Sequence, residues 1–168
     1  VNARDFSAGR NVTSTKDEMN RLYMVESGTS LAGSLADHRL RMAPSAITSF
    51  AFALANKIGE LSGDGNLKKL VKNPAGDAKL DSAFIDAAAE DLFAHKGACV
   101  VMAGPSQPAE VHALVHAINA ALGNAGKTVA YRPMSEDESS DCRADLTALA
   151  AKMNKGQIST LICLGVNP

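Results

Sequence analysis

The apolar positions between residues 98 and 124 fall into two patterns that meet at a short break. Ala98–Ala103 is an unbroken apolar run, too short for a helix and rich in Val, which predicts a parallel strand covered on both faces. Gly104 and Pro105 then end this run. The next residues predict a helix with Gln107 as its N-cap and Pro108 at its first position. The apolar stripe of this helix is formed by Val111, Leu114, Val115, Ile118 and Leu122.

The same periodicities predict further elements on either side of this block. Residues 1–20 are interpreted as an irregular or extended lead-in, and Ser27–Pro44 as a long connection of the kind that is often functional. Helical spacing of apolar residues predicts three more helices, which begin at Ser45, Ser82 and about Arg143. Short apolar runs predict further strands at Arg21–Val25, Thr128–Tyr131 and Thr160–Leu164.

The order of these elements predicts one α/β domain over residues 1–168. Strands that alternate with helices favour a three-layer, mostly parallel, Rossmann-like sheet with helices on both faces. Ligands of such sheets bind beyond the carboxyl ends of the strands. In this chain those ends are Ser27-Gly28, Gly104-Pro105-Ser106, Arg132-Pro133 and Gly165–Pro168.

Composition narrows the possible functions. The net charge is -1, with Lys+Arg 17 against Asp+Glu 18, and aromatic residues make up 4%, so nothing favours a nucleic-acid partner. Cys99, Cys142 and Cys163 contain no CxxC pair, and we interpret them as buried thiols. No run approaches the ~20 apolar residues of a membrane span, and no signal peptide is present. The chain opens on Val1 and stops at Pro168 directly after a predicted strand, so we expect an excised fragment of a longer protein.

Phosphate binding by the loop at Gly104 is one hypothesis, because a helix N-terminus offers free N–H groups to an anion. Pro105 and Pro108 each remove a donor, however, and Glu110 places a negative charge in the first turn. Neither GxGxxG nor GxxxxGKS/T occurs in the chain. We therefore favour a well-capped helix start.

Two groups of residues have the types that metal or nucleophilic chemistry needs. His112 and His116 share one side of a helix, but the Glu that a metalloprotease pair requires is absent, and we predict no metal site. Ser30, Ser34, Asp37 and His38 include the residue types of a hydrolytic triad within one short connection. A local salt bridge or hydrogen-bonded turn of Asp37, His38 and Arg39 is the favoured interpretation.

Longer strings in the chain resemble a known family. MNRLYMVESGTSLAGSLADHRLRMAPSAI closely resembles the molybdopterin-oxidoreductase-like half of the large iron–sulfur subunit of alternative complex III, the quinol:electron-acceptor oxidoreductase of many bacteria. The strings ARDFSAGR, GPSQPAEVHALVHAINAALGN and LGVNP are similar to the same family. The resemblance therefore covers nearly the whole chain.

The resemblance implies a parent protein at the periplasmic face of the cytoplasmic membrane, with iron–sulfur clusters in a separate ferredoxin-like region and with other respiratory subunits as partners. A more distant resemblance, of Gly104–Gly126 and of the closing Gly165, Asn167 and Pro168 to true molybdopterin enzymes, implies pterin contacts. The cofactor-binding candidates are Ser27, Gly104, Ser106, Gln107, Gly165 and Asn167. The chain departs from true molybdopterin enzymes after Gly126, where KTVAYRP replaces a Gly-rich loop, and it has no matching metal ligand.

These departures favour a non-catalytic scaffold domain that holds no cofactor and has no membrane span of its own. One alternative is the cofactor-binding domain of an active molybdopterin-dependent oxidoreductase, and another is an independent small-molecule-binding α/β module. The scaffold hypothesis predicts that the long connection contacts another domain of the parent. Its candidate interface residues are Asp37, His38, Arg39 and Arg41.

Overall fold

The computed structural model describes residues 2–70, 80–132 and 142–164, which form a mixed α/β structure. The chain consists of two compact units, a first unit over residues 1–130 and a second unit over residues 131–168. The interpretation of the whole chain as one domain stays a prediction. The elements of the first unit are α1 (Asn2–Ala8), β1 (Tyr23–Glu26), α2 (Leu31–Ser34), β2 (His38–Arg41), α3 (Pro44–Ser62), α4 (Gly65–Leu70), α5 (Ser82–Ala94) and α6 (Ala109–Ala121). The second unit contains α7 (Cys142–Asn154).

Helices α3, α5 and α6 form the core of the first unit, because α3 packs against both of the others. Their inward side chains follow the helical spacing that the sequence predicted. Ile58 of α3 and Ile118 of α6 are almost completely buried, and burial of a side chain of this size contributes roughly 1.5–3 kcal/mol. The core consists of Phe50, Ala51, Leu54, Ala55, Ile58, Leu67, Ile85, Ala88, Ala89, Val111, Leu114, Ile118 and Leu122.

The helix boundaries confirm the predicted start and stop signals to within a few residues. Helix α3 begins at Pro44 with Ala43 at its N-cap, so Ser45, where the sequence predicted the start, lies within the helix and does not cap it. The helix ends at Gly63, whose φ of 69° is the left-handed conformation that Gly adopts without strain. Asp81 caps α5 by accepting a hydrogen bond from the N–H of Phe84 at 3.0 Å. The predicted cap of α6 is one residue too early, since Pro108 takes the N-cap position instead of Gln107.

Strands β1 and β2 pair in parallel, in a register that joins Tyr23 to His38 and Glu26 to Arg41. Strand β1 confirms the prediction for Arg21–Val25 with a small shift. The interpretation of Ser27–Pro44 as one long connection was wrong, because α2 and β2 both lie within it. Three of the four β2 residues are basic, which suits an exposed edge strand and hides the apolar alternation that identifies a strand in sequence.

The run Ala98–Ala103 is not a strand buried on both faces, which corrects the sequence prediction. Cys99, Val101 and Ala103 pack against the core, whereas Val100 is 48% exposed and Met102 is 82% exposed. The run therefore alternates as an extended segment does, but the helices of the described residues cover only one of its sides. No ladder of strand hydrogen bonds joins it to another segment within the described residues.

The predicted strand Thr128–Tyr131 is also replaced by other structure. The backbone carbonyl of Asn124 accepts hydrogen bonds from the N–H groups of Lys127, Thr128 and Val129 at 3.0–3.1 Å, which closes a tight turn. A single bridge between Ala125 and Val129 is the β pairing that the structure has there. Local bonding to Asn124 thus takes the N–H groups that a longer strand would use.

In the second unit, α7 confirms the predicted helix, but Thr160–Leu164 is not assigned as a strand. Leu149 and Ile158 are half-buried, and none of residues 144–164 is buried. Ile162 is 75% exposed and Leu164 is 84% exposed. Cys163 is exposed and Cys99 is half-buried, so the prediction of buried thiols was wrong for Cys163.

The lead-in is partly helical, since α1 occupies residues that were expected to be irregular or extended. The side chain of Arg10 holds the lead-in together. The guanidinium of Arg10 donates to the backbone carbonyl of Asn20 at 2.8 Å and lies over the ring of Phe6 at 5.2 Å. The segment between α1 and β1 is therefore held by side chains in place of regular secondary structure.

Candidate functional site

The carboxyl ends of β1 and β2 meet at one edge, because the two strands are parallel and in register. The N–H of Met42 donates to the carbonyl of Glu26 at 3.0 Å and fixes this end of the pair. Beyond it lies an open hollow of about 490 Å³. Its lining residues are Ser27, Arg41, Met42, Ala43 and Pro44.

The hollow combines one cationic side chain, one hydroxyl group and the first turn of α3. Arg41 supplies the guanidinium, Ser27 supplies the hydroxyl, and Pro44 begins the helix. No side chain caps the N-terminus of α3 by a hydrogen bond, and no acidic residue lies in its first turn. The chemistry of this hollow suits a small polar or anionic group.

The turn that follows Ser27 is held by the carboxylate of Glu26. This carboxylate accepts hydrogen bonds from the N–H of Ser30 at 3.2 Å and from the Nε of Arg39 at 2.7 Å. Hydrogen bonds from Ser30, and then from Arg39, keep the pKa of Glu26 below its usual range. Ser30 also caps α2 by accepting from the N–H of Gly33 at 3.0 Å. The Glu26 carboxylate leaves no room for a Cβ at Gly33.

The other predicted cofactor-binding residues do not line this hollow. Gly104, Ser106 and Gln107 form a turn in which the N–H of Gln107 donates to the carbonyl of Gly104 at 3.0 Å. Ser106 is exposed and Gln107 is half-buried. Gly165 and Asn167 lie outside the described residues. Ser27 is therefore the one cofactor-binding candidate that lines the hollow among the four that the structure describes. Its neighbour there, Arg41, was predicted as an interface residue.

Three of the four predicted interface residues have partners within the first unit. The carboxylate of Asp37 accepts two hydrogen bonds from Arg10, at 2.9 and 2.7 Å, and one from the N–H of Leu22 at 2.8 Å. Arg10 first, and the N–H of Leu22 next, hold the pKa of Asp37 well below its usual range. His38 stacks on Tyr23 with 4.6 Å between ring centroids.

Arg39 pairs with Glu26, whereas Arg41 is exposed at the hollow. Asp37 and Arg39 therefore bond to Arg10 and Glu26, and the local salt bridge between Asp37 and Arg39 does not form. The hydroxyl groups of Ser30 and Ser34, which have the residue type of a triad nucleophile, bond to the backbone of α2. Residues 27–44 are thus tied to their own unit at several points.

A cluster around Asp91 was not anticipated from the sequence. Its carboxylate lies 2.7 Å from the guanidinium of Arg21 and 3.2 Å from the Nδ1 of His95. Burial, and next the charge of Asp91, raise the pKa of Tyr23. Tyr23 also contacts Phe84 edge to face, with 5.8 Å between ring centroids. The cluster joins β1 to α5 and has the character of a structural tie.

The sequence analysis also did not anticipate that two buried asparagines, Asn119 and Asn124, bond to each other. The side-chain amide of Asn119 accepts from the N–H of Val101 at 3.1 Å and donates to the carbonyl of Val101 at 2.8 Å. Asn124 donates to the Oδ1 of Asn119 at 3.0 Å and to the Sγ of Cys99 at 3.4 Å. The available sequence signal was the position of Asn119, directly after the apolar stripe residue Ile118. An amide that is buried beside such a stripe needs hydrogen-bond partners, so this position could have indicated a buried polar contact.

A second hollow, of about 450 Å³, lies between α3 and α5. Phe52, Leu80 and Ile85 supply much of its apolar lining, and Lys57 and Asp86 form an ion pair at 2.8 Å beside it. The Asp86 carboxylate raises the pKa of Lys57. This hollow lies between two core helices of the first unit, and none of the candidate cofactor-binding or interface residues lines it.

The described part of the chain contains no group of three or more His, Cys, Asp and Glu side chains that could hold a metal ion. In the same residues, no helix is both long enough and apolar enough to span a membrane. Neither a protein-family model nor a curated protein matches this chain. The resemblance to the alternative complex III subunit therefore stays a prediction.

Proposed function

We propose that this chain is a structural domain of a molybdopterin-oxidoreductase-like subunit in a membrane-bound respiratory quinol:electron-acceptor oxidoreductase. In this proposal the domain binds no pterin and carries out no reaction. It packs against the ferredoxin-like region of its parent, where the iron–sulfur clusters are held, and against other subunits of the complex. The complex lies at the periplasmic face of the cytoplasmic membrane.

The observation that carries the proposal is the apolar side of residues 98–103 that the described residues leave exposed. Val100 is 48% exposed and Met102 is 82% exposed, although the same segment packs its other side against the core. Exposed apolar patches on soluble proteins mark surfaces that another protein segment covers. An exposed apolar surface here supports contact with another segment of the parent.

For the complete domain we propose a three-layer, Rossmann-like sheet with helices on both faces. The parallel pair of β1 and β2 supplies its first two strands. The alternating burial of residues 99–103 supports a further strand there, since one side of a sheet strand faces one layer of helices.

In the proposed scaffold, the residues at the strand ends form a surface edge that contacts another domain. Ser27 and Arg41 lie at the open hollow, which Gly104, Ser106 and Gln107 do not line. The intrachain partners of Asp37, His38 and Arg39 support a rigid edge. Arg41, which is exposed, is the interface candidate that remains available to another domain.

The test is purification of the tagged chain in its full-length parent from the membranes of the organism that encodes it. We expect the tag to co-purify with quinol oxidation activity and iron, and to release no fluorescent pterin after acid oxidation. Stoichiometric pterin would contradict the scaffold role and favour an active molybdopterin enzyme. Recovery of the parent as a water-soluble monomer without quinol activity would favour an independent binding module.

A pair of variants separates the scaffold role from cofactor binding. Ser27→Trp fills the hollow at the strand ends, and Ser159→Trp places the same side chain at an exposed position of the second unit. If the domain is a scaffold, Ser27→Trp can reduce the amount of assembled complex, but each assembled complex retains the quinol oxidation rate of the unaltered one, as does Ser159→Trp. Loss of activity and of bound pterin in Ser27→Trp alone would show that the hollow is part of a cofactor site.

A further inference from the structure

We draw no further inference here: the strongest candidate, the apolar side of the extended segment 98–103 with Val100 and Met102 at its surface, carries nothing because no feature of the described residues shows what covers it.

Discussion

Helices α6 and α7 are both thirteen residues long, and apolar stripes predicted both of them, yet they have very different surroundings. In α6, Val111, Leu114 and Ile118 are almost completely buried against the core of the first unit. In α7, Leu146 is 51% exposed and Met153 is 41% exposed. A stripe of apolar residues thus specifies which face of a helix can be buried, but burial also requires a neighbouring surface.

The polar side chains of the first unit also have more hydrogen-bond and ion-pair partners than those of the described part of the second unit. In the first unit, Asn119, Asp37 and Glu26 each have several hydrogen-bond partners. In the described part of the second unit, no ion pair is formed. We therefore expect substitutions in the first unit to change stability much more than equivalent substitutions in the second.

The largest effect should come from the core. Ile58→Ala removes a side chain with no exposed area from α3, and we expect the free energy of unfolding to fall by ~2–5 kcal/mol because a cavity is left. Leu146→Ala in α7 should change it by no more than ~0.5 kcal/mol. Urea denaturation followed by circular dichroism measures both values. Equal losses in the two variants would mean that α7 is packed as tightly as α3.

A smaller effect is expected for the buried amide of Asn119. Asn119→Leu conserves volume but leaves the N–H and carbonyl groups of Val101 without their partner, which should cost about 1–3 kcal/mol. Asn154→Leu at an exposed position of α7 is the matched control and should be near neutral. Hydrogen exchange adds a local measurement, since the amide of Val101 should exchange faster in Asn119→Leu alone. An unchanged exchange rate would show that the Asn119 bond does not protect Val101.

The ion pair of Asp37 predicts a pH dependence. Its pKa is lower in the folded chain than in the unfolded chain, so its stabilising effect is present above the unfolded pKa of about 4. This effect is lost progressively as the pH falls below that value. Asp37→Asn should therefore lower the urea midpoint at pH 7 and lower it less at pH 3. We expect a smaller change at pH 7 than for Ile58→Ala.

Two further variants control the pH experiment. Asp145→Asn changes a carboxylate of α7 that has no ion pair among the described residues, and it should lower the midpoint at pH 7 less than Asp37→Asn does. Arg10→Gln should reproduce the Asp37→Asn behaviour, and the double variant should add little to either change. Additive losses at pH 7 would show that Arg10 and Asp37 act independently.

The smallest effect on global stability is expected at Gly33. A Cβ at this position would overlap the Glu26 carboxylate, which must then move away from Ser30 and Arg39. Ala also favours the helical conformation of α2 by roughly 1 kcal/mol, so the two effects oppose each other. We expect faster hydrogen exchange at the amide of Ser30 in Gly33→Ala. Gly28→Ala, where a Cβ meets nothing within 4 Å, should leave that rate unchanged.

The sequence predicted the long helices well because their apolar spacing and their end signals agree. In α3, for example, Phe50, Leu54 and Ile58 recur at helical spacing, and Gly63 follows the last turn. It predicted β1 for a similar reason. It missed β2, since basic residues on an edge strand show little of the apolar alternation that marks a strand.

The candidate site was predicted only in part, because its contacts join residues that are distant in the sequence. Ser27 follows from the rule that ligands approach the ends of parallel strands. The partner of Asp37 is Arg10, 27 positions earlier, and no local pattern indicates that pairing. The same holds for Asp91, whose carboxylate bonds to Arg21.

The two hydrogen bonds between the side chain of Asn119 and the backbone of Val101 form a clamp on residues 98–103. This clamp affects which residues can be substituted in the segment. An amide side chain binds peptide groups, and peptide groups are the same at every position, so the clamp alone would accept a segment that had slipped by two residues. Gly97 removes this ambiguity, because its φ of 76° would strain any other residue that a slip brought there. Substitutions of Val100 and Met102 by other strand-forming residues should therefore keep the alignment, whereas the glycine ahead of them determines where the segment starts.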